Sequence, residues 1–503
     1  MRSNMSEPEA RPAPHDAAVV DIGSNSIRLV LYRIEGRSIW PIYNEKVLAG
    51  LGRDLARTGR LSEDGVKAAL PALKRFRAVL DSTRPASIIT VATAAVREAK
   101  DGPEFVERVK RLAGFDVRVL TGEEEARYSA LGVLAGVPGA EGVAGDLGGF
   151  SLELIRLKAG SLGKGITLPL GPFALRTAEG FDADAVAKEA GKRLAAAKAF
   201  SSDCFYAVGG AWRNLALIHM QMTGYPLKIV HEYEMTGEQA LRTARFIARQ
   251  SKSSLERIQG LSKKRLDSIP YAAAVLCALV ERLELRHIVI CAWGLREGLL
   301  FDAMPEAVRR LDPMIEGFAA LGGRTEQAEA LGAALNDWIG PVMAALPPLF
   351  EQGHDERLGA AACRLADFGS RFHPDHRAEL VFHQVLRAPV AGVDHIDRGF
   401  LAVAAFARHT ASSDLPEPET LRHLLTPERL DRARALGAAI RLGCDISGRS
   451  PPLLAKSSLA LSDGHLVLEA AKSGADLLLG EQTRKRAETL AGLLGKQLDI
   501  RTV

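Results

Sequence analysis

Apolar residues early in the chain fall into short runs with strand-like alternation, and two pairs of runs are built alike. Residues 18–22 and 27–34 flank a polar, glycine-bearing turn, and residues 142–145 and 152–157 flank a second one. After the first pair, apolar spacings of three and four predict a helix over 63–80, with Ser62 as its N-cap. A buried strand is predicted over 87–93, a turn or short helix over 94–99, a helix over 103–113, a strand over 117–120 and a helix over 122–133. After the second pair come a helix over 182–199, a strand over 204–210, further helices, a strand over 287–292 and a last helix from about 296. Strands alternating with helices predict an α/β fold, with helices packed on a mixed sheet. The doubled hairpin predicts that this part of the chain is a duplicated half-domain.

The pattern changes near 305–312. Residues 313–503 are rich in Ala, Leu, Arg and Glu at helical spacings, with one strand-like exception at 464–470 and an acidic, proline-bearing loop over 413–420. The expected organisation is a disordered tail over 1–16, an α/β domain over 17–135, its repeat over 136–310, and a mainly helical region over 311–503 ending in a small terminal domain.

Composition narrows the class. At 503 residues, 47% hydrophobic and 25% charged, the chain reads as an ordinary soluble globular protein of several domains. No uncharged apolar stretch is long enough to span a bilayer, and the polar start of the chain has no signal-peptide core. Five scattered cysteines without metal-ligand spacing fit reduced thiols, so a cytoplasmic location is expected. The net charge of +4 divides into +8 over residues 1–310 and −4 over the remainder. Positive charge in the half that holds the paired turns fits an acidic substrate.

The turns read Asp21-Ile-Gly23-Ser24-Asn25-Ser26 and Asp146-Leu-Gly148-Gly149-Phe150-Ser151. Asp, Gly and Ser recur at the same offsets. Such a turn aims backbone N–H groups and a hydroxyl at an anion, with a carboxylate beside it where a divalent metal can sit. A single copy is an ordinary hairpin; two copies in register predict turns that close on one phosphate chain. Three further stretches carry candidate chemistry. Thr93 and Arg97 follow a strand, and the arginine fork suits phosphate. Glu123, Glu124 and Glu125 open a helix, where the dipole favours carboxylates. Successive side chains there point about 100° apart, so one of the three can face a cleft. Gly209 and Gly210 end a strand in a turn that lets a ligand approach the backbone.

Taken together these stretches resemble the exopolyphosphatase / guanosine pentaphosphatase family. The resemblance covers roughly 17–305 and rests on D-I-G-S-N-S at 21–26, A-T-A-A-V-R at 92–97, T-G-E-E-E-A-R at 121–127, D-L-G-G-F-S-L-E at 146–153, V-G-G at 208–210 and W-G-L-R-E-G at 293–298. It implies two actin-like, ribonuclease-H-like domains around a cleft. It implies removal of the terminal phosphate of linear polyphosphate by water, with a divalent metal, Mg²⁺ or another such as Mn²⁺. Glu125 matches the family's catalytic base and Arg97 its cleft arginine. Asp146 and Glu153, with Asp21, match the acidic residues near the metal and the attacking water. The expected partners are inorganic polyphosphate, with guanosine pentaphosphate (pppGpp) as the alternative substrate, and a second copy in a homodimer; nucleic acid and membrane are not expected. Phe150 stands where relatives carry a third glycine, so its side chain must point away from phosphate. Gly210-Ala211-Trp212 replaces Gly-Gly-Thr in a loop that meets a nucleoside in nucleotide-binding members.

Two other classes stay open at this point: an actin-like ATPase or sugar kinase, and a catalytically silent polyphosphate-binding sensor. Arg242, Arg245, Arg249, Lys252 and Arg257 recur at helical spacing before Lys263-Lys264-Arg265, forming either a polyanion track or a solvated helix face. The C-terminal region resembles a degenerate HD-type helical domain, with Asp367 but no adjacent His over 365–369, and is expected to hold no metal.

Overall fold

The computed structural model describes residues 13–158, 160–177, 180–258, 266–351 and 353–503. The chain divides into two compact units, Met1–Leu311 and Asp312–Val503. Most of the tail expected over 1–16 lies outside the described residues, and the first strand already begins at His15.

The first unit holds two sheets. In one, β1 (His15–Ile22), β2 (Ile27–Glu35), β3 (Ser38–Val47), β4 (Ser87–Ala92) and β5 (Arg118–Val119) lie in the order β3-β2-β1-β4-β5. The first three are antiparallel, and β4 and β5 run parallel to β1. The other sheet contains β6 (Gly142–Leu147), β7 (Leu152–Lys158), β8 (Ser161–Leu162), β9 (Ile166–Leu168), β10 (Cys204–Val208), β11 (Tyr233–Thr236) and β12 (His287–Cys291). Its order is β11-β12-β10-β6-β7-β8, with β9 also paired to β7. The run β2-β1-β4 in the first sheet has its counterpart in β7-β6-β10: an antiparallel hairpin followed by a parallel neighbour. The duplication read from the turns is therefore a duplication of sheet topology.

Both sheets are covered on both faces, and period-two alternation assigns the faces. Ala18, Val20 and Ile22 of β1 enter one apolar cluster with Leu73 and Phe76 of the Glu63–Thr83 helix. Ala17 and Val19 enter another, with Tyr128 and Leu131 of the Gly122–Gly136 helix. The Gly122–Gly136 helix also serves the second sheet, where Ala126, Ala130, Val133 and Leu134 pack with Ala144, Ile155 and Val208. It is thus a wall shared by both sheets, which explains why its apolar residues run all the way round.

β3 escapes sequence reading because it is an edge strand interrupted by Pro41, with a register irregularity opposite Leu31 and Tyr32 that passes over Ile42. β5 is only two residues long, and the helix expected over 182–199 gives way at Leu194 to a 3-10 turn reaching Phe200.

The second unit is mainly helical, its core built on the His395–His409 helix packed against the Pro427–Ser447 helix. A small sheet, β13 (Ser457–Ser462), β14 (His465–Ala470) and β15 (Gln497–Thr502), closes the chain, where sequence reading found only the middle strand. A His-Asp dipeptide is present after all, earlier than the stretch in which it was sought. His354 Nε2 lies 2.7 Å from Asp397 Oδ1 and its Nδ1 lies 3.2 Å from Arg357, while Asp355 accepts the Phe350 backbone N–H at 3.0 Å. No described helix is long and apolar enough to cross a membrane.

The shared helix is gripped by the Leu295–Ala303 helix at two glycines. A Cβ on Gly298 would lie 1.8 Å from the Tyr128 carbonyl oxygen, and one on Gly132 would lie 2.1 Å from the Gly294 carbonyl oxygen. Forcing atoms into such a contact typically costs about 1–3 kcal/mol. Gly298→Ala is therefore expected to lower the urea midpoint of the full-length protein by that amount of stability; an unchanged midpoint would show that this crossing is not tightly packed.

Candidate active site

Each hairpin turn is closed by the same hydrogen bond. Gly23 N–H donates to the Ser26 carbonyl at 3.0 Å, and Gly148 N–H donates to the Ser151 carbonyl at 2.9 Å. Each is braced by a following loop: Gly52 N–H donates to Ser24 O and Gly50 N–H to Asn25 O, while Gly171 N–H donates to Phe150 O and Phe173 N–H to Gly149 O. The turns abut, since a Cβ on Gly149 would lie 3.1 Å from Asn25 Cβ and 3.2 Å from Asn25 N. Phe150 packs against the apolar cluster of the first sheet, turned away from the cleft.

Between and beside the turns is a cleft of about 360 Å³. Of the residues singled out in the sequence, Asp21, Gly23, Ser24, Asn25, Ser26, Thr93, Glu125, Asp146, Gly148, Gly149, Ser151, Gly209 and Gly210 line it. Thr93 arrives there because β4 runs parallel to β1, placing Ala92 beside Ile22. Gly209 follows β10, whose Val208 pairs with Asp146. Its φ of 121° and a virtual Cβ 2.7 Å from Leu147 O leave no room for a side chain.

Three sequence candidates do not line the cleft: Arg97, Glu153 and Phe150. Arg97 is a neighbour of the glutamate instead. Its Nη1 donates to Glu125 Oε2 and to Leu120 O, both at 2.9 Å, and its Nε donates to Glu98. Glu153 sits directly across the strand pair from Asp146 and is only 2% exposed. Its Oε1 is buried with no hydrogen-bond partner.

The three successive glutamates separate as helical geometry requires. Glu123 faces solvent. Glu124 closes a capping box with Thr121 and pairs with Arg118. Glu125, 7% exposed, faces the cleft.

Burial dominates the electrostatics here. It pushes Glu125 up to about 7, the Arg97 guanidinium working against it and the charges of Asp146 and Asp21 adding to it. Burial also raises Asp146, which accepts a 2.6 Å hydrogen bond from Ser129 Oγ, and raises Glu153 strongly, with the Glu125 charge as the next cause.

Sequence reasoning missed most of the positive lining: Arg28, Lys46, Arg53, Arg176, Arg213 and Arg296. Two of these had a signal. Arg28 lies directly across the hairpin from Asp21, and Arg296 stands inside the 293–298 motif. Arg296 Nη1 donates to Asp21 Oδ2 at 3.0 Å. Burial opposes its charge, but Glu297, Tyr32 and Asp21 together hold its pKa above the usual value. Arg28 is pushed down to about 10 by burial and by Arg296 and Arg213. Trp212 is fully buried, its Nε1 donating to Ala272 O. Arg242, Arg245, Arg249 and Arg257 are not among the lining residues; Arg245 pairs with Glu281 at 2.8 Å. Lys263, Lys264 and Arg265 lie outside the described residues, as does the Lys252 side chain.

Among the described residues no three His, Cys, Asp or Glu side chains are grouped as a closed metal cage requires. Magnesium does not need one, because it binds through one or two carboxylates and substrate oxygens. Glu153 Oε1 has no partner, and its carboxyl is raised in pKa by burial first and then by the charges of Glu125 and Asp146, which fits a cation bound beside Asp146, its partner across the strand pair.

Residues 30–307 match the model of the Ppx/GppA phosphatase family, and residues 317–501 match the exopolyphosphatase C-terminal model. Exopolyphosphatase 1 of Mycobacterium tuberculosis is 26% identical over 322 residues, covering 60% of this chain and 90% of that protein. The crystal structure of the Aquifex aeolicus Ppx/GppA family member is 29% identical with a TM-score of 0.51, covering 57% of this chain and 97% of that one. An exopolyphosphatase structure from Cytophaga hutchinsonii, 21% identical with a TM-score of 0.52 over 57% of this chain and 96% of that one, shares the fold.

The Arg97–Glu125 pair makes a titration testable. Because the guanidinium lowers the Glu125 pKa, Arg97→Gln is expected to move the carboxyl transition upward from about 7, as followed by isotope-edited infrared spectroscopy. A transition that stays in place would show that the pair does not set the charge of Glu125.

Proposed function

Because the chain belongs to the Ppx/GppA phosphatase family, we propose that this phosphatase is an exopolyphosphatase, removing the terminal phosphate of linear polyphosphate with a water activated by Glu125. The observation that carries the proposal is the cleft itself. Two abutting phosphate-type turns, one buried glutamate with a pKa near neutrality and six cationic side chains share a single lining.

Phosphoryl transfer asks a protein for alignment and charge neutralisation more than for covalent help. Backbone N–H groups and hydroxyls of the two turns hold the oxygens of the terminal phosphates. Arg28, Arg213 and Arg296 offset the charge that develops on them. Arg97 orients the Glu125 carboxylate and keeps its pKa from climbing further. Glu125 takes the proton of the attacking water, a role for which a pKa near the working pH is suited. A divalent cation, Mg²⁺ or another such as Mn²⁺, held by Asp146 with Asp21 or Glu153 and by substrate oxygens, would supply further charge neutralisation.

Polyphosphate is favoured over pppGpp by the lining. Phe173 is the one aromatic side chain there among the described residues, and Trp212, in the loop that replaces Gly-Gly-Thr, is buried in the core. The positive excess of six cations over Asp21, Glu125, Asp146 and Asp267 suits a polyanion. The silent-sensor reading loses support for the same reason that the enzyme reading gains it, because the glutamate, both aspartates and both turns converge on one space.

Glu125→Gln is expected to lower kcat by about 10²–10⁴-fold while polyphosphate binding persists. In the wild type, kcat/KM should rise with pH through about 7 as Glu125 loses its proton. Phosphate release measured side by side on long-chain polyphosphate, pppGpp and ATP should be fastest on polyphosphate. Faster release from pppGpp would reassign the substrate, and a Glu125→Gln protein with wild-type turnover would remove the glutamate from the mechanism.

A further inference from the structure

We propose that the second unit carries its own binding site for a compact oxyanion of the phosphate class. The site is a pocket of about 180 Å³ in which five arginines converge from separate parts of the unit. Arg377 opens the Arg377–Arg387 helix, Arg408 closes the His395–His409 helix, and Arg441 lies on the Pro427–Ser447 helix. Arg449 follows that last helix, and Arg486 lies on the Glu481–Leu494 helix.

The charges do not balance. Five guanidinium groups face only two carboxylates in the lining, Asp367 and Asp445. Both carboxylates are engaged, Asp367 accepting from Arg449 Nη1 at 2.7 Å and Asp445 from Arg486 Nε at 2.9 Å. Arg408 is 8% exposed and spends its Nε on the Ala366 carbonyl. Arg377 donates through Nη2 to Ser370 O and Phe372 O, while its buried Nε has no partner. Among the described residues, Arg441 is half-buried and makes no hydrogen bond or ion pair. Burial, then the charges of Arg486 and Arg408, hold its pKa below the usual arginine value.

His409 reports the same field. Its Nε2 lies 3.0 Å from the Phe368 carbonyl, and burial followed by the charge of Arg408 pushes its pKa down to about 4. The imidazole is therefore neutral at neutral pH and adds no charge of its own. Like charges drawn together out of water are costly unless paired, and a bound anion supplies the pairing. Planar guanidinium forks converging from several directions match a tetrahedral oxyanion, to which each can donate two parallel bonds. The pocket is smaller than the about 300–1,000 Å³ of pockets for drug-sized molecules, and its volume suits one or two phosphate groups. Such groups come from two sources, free orthophosphate or pyrophosphate, and the end of a polyphosphate chain.

Equilibrium dialysis of the full-length protein with radiolabelled orthophosphate and pyrophosphate tests the site, alongside competition by medium-chain polyphosphate. Arg441→Gln is expected to remove one class of sites, weakening it by about 10–100-fold, the range for loss of a charged hydrogen bond, while leaving the remaining sites intact. Arg449→Gln, on the exposed rim, is a second variant in case the first fails to fold, and is expected to weaken the same class. Displacement by orthophosphate as effective as by the chain assigns the site to the free anion; displacement by the chain alone assigns it to the chain end. Wild-type stoichiometry and affinity for both small anions and for the chain in the two variants would overturn the proposal.

Discussion

Confinement of like charge is the constraint on which the first unit depends. Asp21, Glu125, Asp146 and Glu153 raise one another's energy in a region largely withdrawn from water. The fold compensates unevenly. Arg296 answers Asp21, Arg97 answers Glu125, and a hydroxyl from Ser129 answers Asp146, but one oxygen of Glu153 is left without a partner. A cleft so arranged is poor at holding still more negative charge unless cations accompany it. The six basic side chains of the lining meet that need, and a cation beside Asp146, whose strand partner Glu153 keeps one oxygen unpartnered, would add to them.

Placement of the glutamate follows from the packing of one helix. The Gly122–Gly136 helix buries one face on each sheet, so its first turn is carried to the line where the two hairpins meet. Its capping box draws Glu124 back onto Thr121, and Glu123 is turned to solvent, which leaves Glu125 as the residue aimed inward. The close glycine contacts with the Leu295–Ala303 helix fix this wall from behind, and that second helix delivers Arg296 to the cleft. The two hairpins are thus joined both across their turns and through a common partner.

Much of this was legible in the sequence because it is local. The paired Asp-Gly-Ser turns, the strand ends bearing Thr93 and Gly209, and the helix start at Thr121 are each written in contiguous residues, and the turns lie where their repetition implied. What escaped reading depends on contacts between distant segments. Ser129 looks like an ordinary buried serine until the helix is laid beside Asp146. Arg176 and Arg213 sit in segments whose direction is set only by tertiary packing. Arg97 reads as a phosphate clamp from its motif, yet its fork is already occupied by Glu125, Leu120 and Glu98. The edge strand β3 was hidden by Pro41, and β13 and β15 by short runs that become strands only on pairing with β14.

The central claim is that both turns hold one stretch of linked phosphates beneath Glu125. A crystal structure of the Glu125→Gln protein with a short polyphosphate bound tests it most directly. The account predicts a terminal phosphate touched by backbone N–H groups of both the 23–26 and 148–151 turns, with the residue-125 side chain facing the side from which water attacks. A chain that contacts only one turn, or lies outside the cleft with residue 125 remote from its end, would contradict it.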